Sequence, residues 1–262
     1  MKLGDARKYL ANIDQSVIQT LEERYSHIKE PLGPDSRFKF SCDADGRCCT
    51  NRKNEPIILS SYDVLRLRKR LGMKTRDFLK EYTYMTFGSD SQLPVALLKT
   101  KEGEKTQPCV FLKKGLCGVH EDKPLRCRLY PLGRIMADDG TSYFFLQNVP
   151  SYCQVGRGKE WTLEEYLKES EIESFTDWSD RLLVPLLEMD FEKYKALPLI
   201  EKVRLASFMY DFDFWVDDAI KEGFVQGPPT DEMYMEFVEQ ATIHFIEKVV
   251  GYRQKKLKLM GE

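Results

Sequence analysis

Ser41-Cys42-Asp43-Ala44-Asp45-Gly46-Arg47-Cys48-Cys49 and Cys117-Gly118-Val119-His120-Glu121-Asp122-Lys123-Pro124-Leu125-Arg126-Cys127 carry five of the chain's seven cysteines. Cys109 and Cys153 complete the set, and none follows Cys153. The number is odd, and the amino terminus, MKLGDARKYLANIDQSV, has no apolar secretory segment, so a disulfide framework is not expected. Buried thiols packed as small hydrophobes are the plain alternative. The neighbouring residues argue against it: Asp45, Gly46, Lys114, Gly115 and Pro124 are turn residues, not an apolar core run. Turns let side chains converge and let backbone N–H groups approach thiolates. Metal binding is the expectation.

Zinc in a closed site takes four N or S ligands, commonly from C-x2–4-C pairs, and no such pair occurs here. In an extended chain the side chains of Cys48 and Cys49 would point to opposite sides, so one ion would rarely use both. The thiol count also exceeds the needs of a single zinc. An iron–sulfur cluster, held by four thiolates, or a two-metal thiolate site fits the count better, and iron–sulfur is favoured over zinc. The expected metal-site residues are Cys42, Cys48, Cys49, Cys109, Cys117, Cys127 and Cys153, with no catalytic residue assigned.

At these residues the chain resembles the YkgJ-type cysteine-cluster family, the zinc- or iron-chelating domain proteins. Four pieces carry the likeness in order. Phe40 to Cys49 is similar to F-x-C-x-x-C-G-x-C-C, and Pro56 to Leu67 to a strand followed by L-[ST]-x-x-D-x-x-R-[IL]. Cys109-Val-Phe-Leu with Cys117 to Pro131 is similar to C-x-F-L followed by C-x-[IV]-Y-x-x-R-P-x-x-C-R-x-[FY]-P. Cys153 to Gly158 resembles a glycine-containing cysteine loop leading into a helix. The likeness spans roughly residues 37–170 and implies metal chelation with no settled reaction. One branch of the family is associated with flagellin lysine N-methylation. Two positions depart from the pattern: Asp45 stands at the second cysteine, and His120 at an aromatic. A carboxylate at 45 is a harder donor. His120 is expected to replace a packing ring and not to bind metal.

Outward from the cysteines, the pattern predicts an α+β fold: a small antiparallel sheet with cysteine-bearing loops and flanking helices, then a helical carboxy-terminal half. The expected division is an amino-terminal helix in 1–36, a metal-binding domain in 37–160 and a helical domain in 161–262. Helices are expected over 5–29, over about 62–71 capped by Ser60 or Ser61, and from a Thr75 cap to about Tyr84. Strands are expected at 93–100, 110–112, 129–136 and 142–149, the last two joined by Asp138-Asp139-Gly140. Thr162-x-x-Glu165 forms a capping box. Pro198 opens one helix whose stripe of Leu205, Phe208, Met209, Phe212, Trp215, Val216 and Ile220 is core, closed by Gly223. Thr230 caps a last helix, on which His244 sits beside the apolar stripe as a satisfied helix histidine and not a ligand.

The formal net charge of −2 hides an asymmetry: +7 over residues 1–156, −12 over 157–250 and +3 over the last twelve. The basic and acidic parts are expected to attract each other. Arg66, Arg68, Lys69 and Arg70 read as a solvated helix face, so no nucleic-acid partner is expected. No run of about 18 apolar residues exists, so no membrane span is expected, and the chain reads as cytoplasmic. Neither Gly103-Glu-Lys105-Thr106 nor Gly156-x-Gly158 meets a nucleotide motif. The leading functional reading is a metal-thiolate protein with a structural, redox or sensory centre. A lysine N-methyltransferase-like enzyme or metal-dependent oxidoreductase, with exposed Glu121, Arg128 and Tyr130 handling substrate, is the second. A zinc-stabilised module that binds a protein partner is the third.

Overall fold

The computed structural model describes residues 31–42, 44–50, 57–103, 106–136, 142–147, 156–224 and 227–252. The expected helix over 5–29, the turn at 138–140 and Cys153 lie outside them. The fold is α+β, with small antiparallel sheets and a helical carboxy-terminal half. The chain divides into two compact units, each built from two separate segments: Met1–Asn51 with Phe111–Thr176, and Arg52–Val110 with Asp177–Glu262.

In the first unit β1 (Arg37–Lys39) pairs with β9 (Glu160–Thr162), β5 (Leu112–Lys113) with β6 (Leu116–Cys117), and β7 (Leu132–Met136) with β8 (Ser142–Leu146), all antiparallel. The helices here are α3 (Leu125–Leu129) and α4 (Leu163–Glu169). Thr162 caps α4 with the predicted box, its hydroxyl accepting from the Glu165 N–H while the Glu165 carboxylate accepts from the Thr162 N–H. The same residue ends β9, a strand that the helical pattern of this region hides. Phe38, Phe40, Leu129, Leu132, Leu163, Tyr166 and Ile172 form the core. Tyr166 meets Phe38 edge-on, with centroids 5.2 Å apart, and Trp161 at 5.5 Å.

The second unit holds a three-stranded sheet in the order β2 (Ile58–Leu59), β4 (Pro94–Leu98), β3 (Thr83–Phe87). Its helices are α1 (Ser61–Arg70), α2 (Thr75–Tyr82), α6 (Phe191–Ala196), α7 (Leu199–Tyr210), α8 (Phe212–Lys221) and α9 (Asp231–Phe245). Helix α5 (Ile172–Glu188) begins at the end of the first unit's sequence and continues into that of the second. Ser60, not Ser61, caps α1 through a reciprocal box with Asp63. Thr75 is not a cap: Lys74 holds that position, and the Thr75 N–H and hydroxyl both donate to Asp213. Thr83-Tyr84-Met85-Thr86-Phe87 leaves the helix to become β3, in keeping with its β-branched and aromatic content.

The single helix expected beyond Pro198 is two, broken at Asp211 (φ −104°, ψ 43°). Leu205, Met209, Phe212 and Val216 of the expected stripe are buried, whereas Phe208, Trp215 and Ile220 are half-buried. The charge asymmetry is resolved inside this unit. Lys69 pairs with Asp231 at 2.6 Å, Lys74 with Asp217 at 2.9 Å, and Arg76 with Asp211 at 2.5 Å. Arg68 is not on a solvated face. Its guanidinium reaches Asp213 at 3.0 Å and lies 4.8 Å from the Tyr234 ring centre.

Candidate metal centre

Two turns of the first unit meet where the thiols gather. Gly46 has φ 67°, and a methyl group there would run into the Leu112 side chain and the Gly115 carbonyl. Only glycine supplies both the left-handed backbone and the close approach. Lys114 (φ 51°) and Gly115 (φ 78°) form the two-residue turn between β5 and β6, the I′ geometry suited to a hairpin. Beyond Gly46 the chain winds into a 3-10 turn over Arg47–Cys49, closed by a 2.8 Å bond from the Cys49 N–H to the Gly46 carbonyl.

That turn overrides the alternation expected of Cys48 and Cys49. Their Sγ atoms lie 3.9 Å apart, Cys48 exposed and Cys49 buried. Cys117, at the end of β6, joins them. Its thiol is lowered to about 6, first by a hydrogen bond with Cys49 and then by the Val119 N–H and the Lys123 charge, against burial and Cys48. Asp45 makes no thiolate-like approach. The Arg47 N–H, donating to one carboxylate oxygen at 3.1 Å, and after it the Arg47 guanidinium, paired with the other, hold the carboxyl below its ordinary pKa.

Cys42 follows β1 and is exposed. The β1–β9 pairing continues past the strands: the Phe40 N–H donates to the Lys159 carbonyl at 3.0 Å, and Trp161 Nε1 to the Phe40 carbonyl at 2.8 Å. Opposite Cys42 stands His120, whose Nε2 is 3.6 Å from the thiol sulfur and 3.4 Å from Lys123 Nζ. Burial first, then the Lys123 and Arg128 charges, pushes the imidazole below its ordinary pKa. The neutral ring is the ligating form. Sequence reasoning missed this encounter, since nothing in the local pattern of either residue points across the 78 positions between them.

Cys127 is half-buried on α3, whose first turn is closed by a 2.8 Å bond from its N–H to the Pro124 carbonyl. The next residue fixes the loop. Arg128 is 5% exposed and donates to the carbonyls of Lys123 at 3.0 Å, Ser170 at 3.2 Å and Glu121. It also pairs with Glu171 at 3.2 Å and lies over the Phe175 ring. Arg128 is thus no exposed substrate-handling group. Tyr130 is likewise committed, its ring to Phe40 and its carbonyl to the Tyr166 hydroxyl at 2.5 Å.

Cys109 belongs to the second unit, where it is buried and bridged to Thr100. Cys153 lies outside the described residues, and His244 is exposed on α9. No disulfide joins the six described cysteines. Among the described residues no three His, Cys, Asp or Glu side chains stand close enough together to hold a metal ion. The donors instead form near-pairs, Cys48 with Cys49 and Cys42 with His120. Thiols and imidazole are the donor types that zinc and iron take.

Residues 41–154 match the family model CxxCxxCC, described as "Putative zinc- or iron-chelating domain". The match supports, for this stretch of the chain, a domain that chelates zinc or iron. No curated protein and no solved structure matches the chain.

Proposed function

We propose that the first unit holds a metal-thiolate centre built on Cys42, Cys48, Cys49, Cys117 and Cys127, and that the metal organises the turns that carry them. The observations behind this reading are the approach of Cys48 to Cys49 at 3.9 Å and the hydrogen bond between Cys49 and Cys117, beside the turn where Gly46 packs on Gly115. Two sulfurs on one tetrahedral zinc lie about 3.8 Å apart at ordinary Zn–S lengths, and Cys48 and Cys49 stand at 3.9 Å. In a four-iron cluster each iron takes its own thiolate, which sets the sulfurs farther apart, whereas in a two-iron cluster each iron takes two. The spacing is that of two thiolates on one metal atom, as a zinc, a thiolate-bound iron or one iron of a two-iron cluster would hold them.

The role supported best is structural, because metal binding to turns distant in sequence is also folding energy. Metal analysis and visible absorption of anaerobically purified protein test the centre. Colourless protein with stoichiometric zinc would identify a zinc-thiolate centre, and broad brown sulfide-to-iron absorption an iron–sulfur cluster. Single Cys→Ser changes at 42, 48, 49, 117 and 127 are expected to lower metal content. The same change at 109 and 153 asks whether the set extends to them. Full occupancy in every variant would overturn the reading.

A further inference from the structure

We propose that His120 is a metal ligand in this chain, sharing an ion with Cys42, so that the centre is a mixed imidazole–thiolate site. The inference rests on the metal-thiolate reading above and adds a donor to it. Nitrogen and sulfur bound to one tetrahedral zinc are separated by about 3.6 Å at ordinary bond lengths, and His120 Nε2 stands 3.6 Å from Cys42 Sγ. The second contact of the ring fixes which atom is available. Lys123 Nζ lies 3.4 Å from the same Nε2. An ammonium offers only protons, so this contact is a hydrogen bond in the tautomer that turns the Nε2 lone pair to Lys123 and keeps the ring proton on Nδ1. That lone pair is the one a metal would take, with Lys123 swinging aside and the Cys42 thiol losing its proton to solvent.

The loop that carries the ring is held before any metal arrives. Arg128 ties down the carbonyls of Glu121 and Lys123 on the carboxy-terminal side of His120. The Asp122 N–H bonds to the Val119 carbonyl at 3.0 Å across it. The obvious rival donor is already engaged, since Arg47 occupies both carboxylate oxygens of Asp45. The first cysteine loop, one thiolate short at 45, gains an imidazole from the second loop.

Anaerobic titration of the full, reduced, metal-free chain with cobalt(II), followed by zinc(II) competition, tests this. His120→Phe keeps a ring and removes the donor; His120→Cys returns a donor of the thiolate kind. The wild-type chain is expected to show thiolate-to-cobalt charge transfer together with ligand-field bands of a mixed nitrogen–sulfur set. His120→Phe is expected to shift those bands and weaken zinc binding by about tenfold or more, since even removing a group that merely supports a ligand costs that much. His120→Cys is expected to recover affinity with stronger charge transfer. Unchanged melting of metal-free His120→Phe separates ligand loss from misfolding, and His120→Asn, read the same way, serves if that variant does not fold. Identical bands and zinc affinity in wild type and His120→Phe would overturn the ligand role while leaving the thiolate centre intact. Absence of thiolate-to-cobalt bands in the wild type would overturn both.

Discussion

A methyl group at Gly46 would meet the Gly115 carbonyl and force a side chain into left-handed backbone at once. Gly46→Ala is therefore expected to destabilise the first unit by more than about 2 kcal/mol, from the backbone cost plus the overlap. It should also separate Cys48 and Cys49 from Cys117, so metal content falls with stability; thermal melting and metal analysis of the one variant read both. Cys117 makes a second residue-level prediction. In metal-free protein its alkylation rate should titrate with a midpoint near 6, and Cys49→Ala should move that midpoint up. The folded thiol gives up its proton more readily than the unfolded one, so between the folded value and the ordinary value near 9 the unfolded chain holds more protons. Stability of the metal-free chain should then rise with pH through that window and be lost as pH falls through 6. Denaturant melts at pH 5, 7 and 9 measure it; a flat profile would contradict the Cys49–Cys117 hydrogen bond.

Between elements, buried Asp213 ties the starts of two helices of the second unit together. It accepts from the Thr75 N–H and hydroxyl at the start of α2 and receives Arg68 from α1. Asp213→Ala leaves Arg68 without its carboxylate in a buried site, and a loss of about 3–5 kcal/mol is expected. Arg128→Gln strips carbonyl partners from the loop around His120, and denaturant unfolding should show a loss of about 3 kcal/mol. A potential or metal affinity altered at unchanged stability would instead place Arg128 in direct service of the thiolates. These contacts also mark how far the sequence could be read. Thr162, Ser60, Gly223 and Thr230 were legible as helix signals because a cap or a stop is a local event. The break at Asp211 was not, because the apolar stripe stays in phase through it from Leu205 to Val216. The Cys48–Cys49 spacing was not legible, because Gly46 starts a 3-10 turn where an extended backbone would alternate the side chains. The meeting of Cys42 and His120 is a product of tertiary packing alone.

At the scale of the whole molecule, no helix among the described residues is long and apolar enough to cross a membrane. Chelation of the proposed metal is expected to lower the melting temperature and to open the first unit first, since the metal would close the chain between Cys42 and Cys127. Limited proteolysis should then cut near 41–50 and 111–128 before it cuts α7 to α9, and equal protection with and without metal would count against a structural role. The chain's division has a consequence for its birth. The first unit is assembled from Met1–Asn51 and Phe111–Thr176, with Arg52–Val110 belonging to the other. On the ribosome, Cys42, Cys48 and Cys49 emerge long before Cys117 and Cys127, so the early thiols wait in an unfinished domain while a piece of the second unit is made between them. If these thiols form the proposed centre, the nascent chain has to keep them reduced and unclaimed until the downstream hairpin arrives, and a stall or truncation before Phe111 would release a fragment with half of the proposed site and an incomplete first unit.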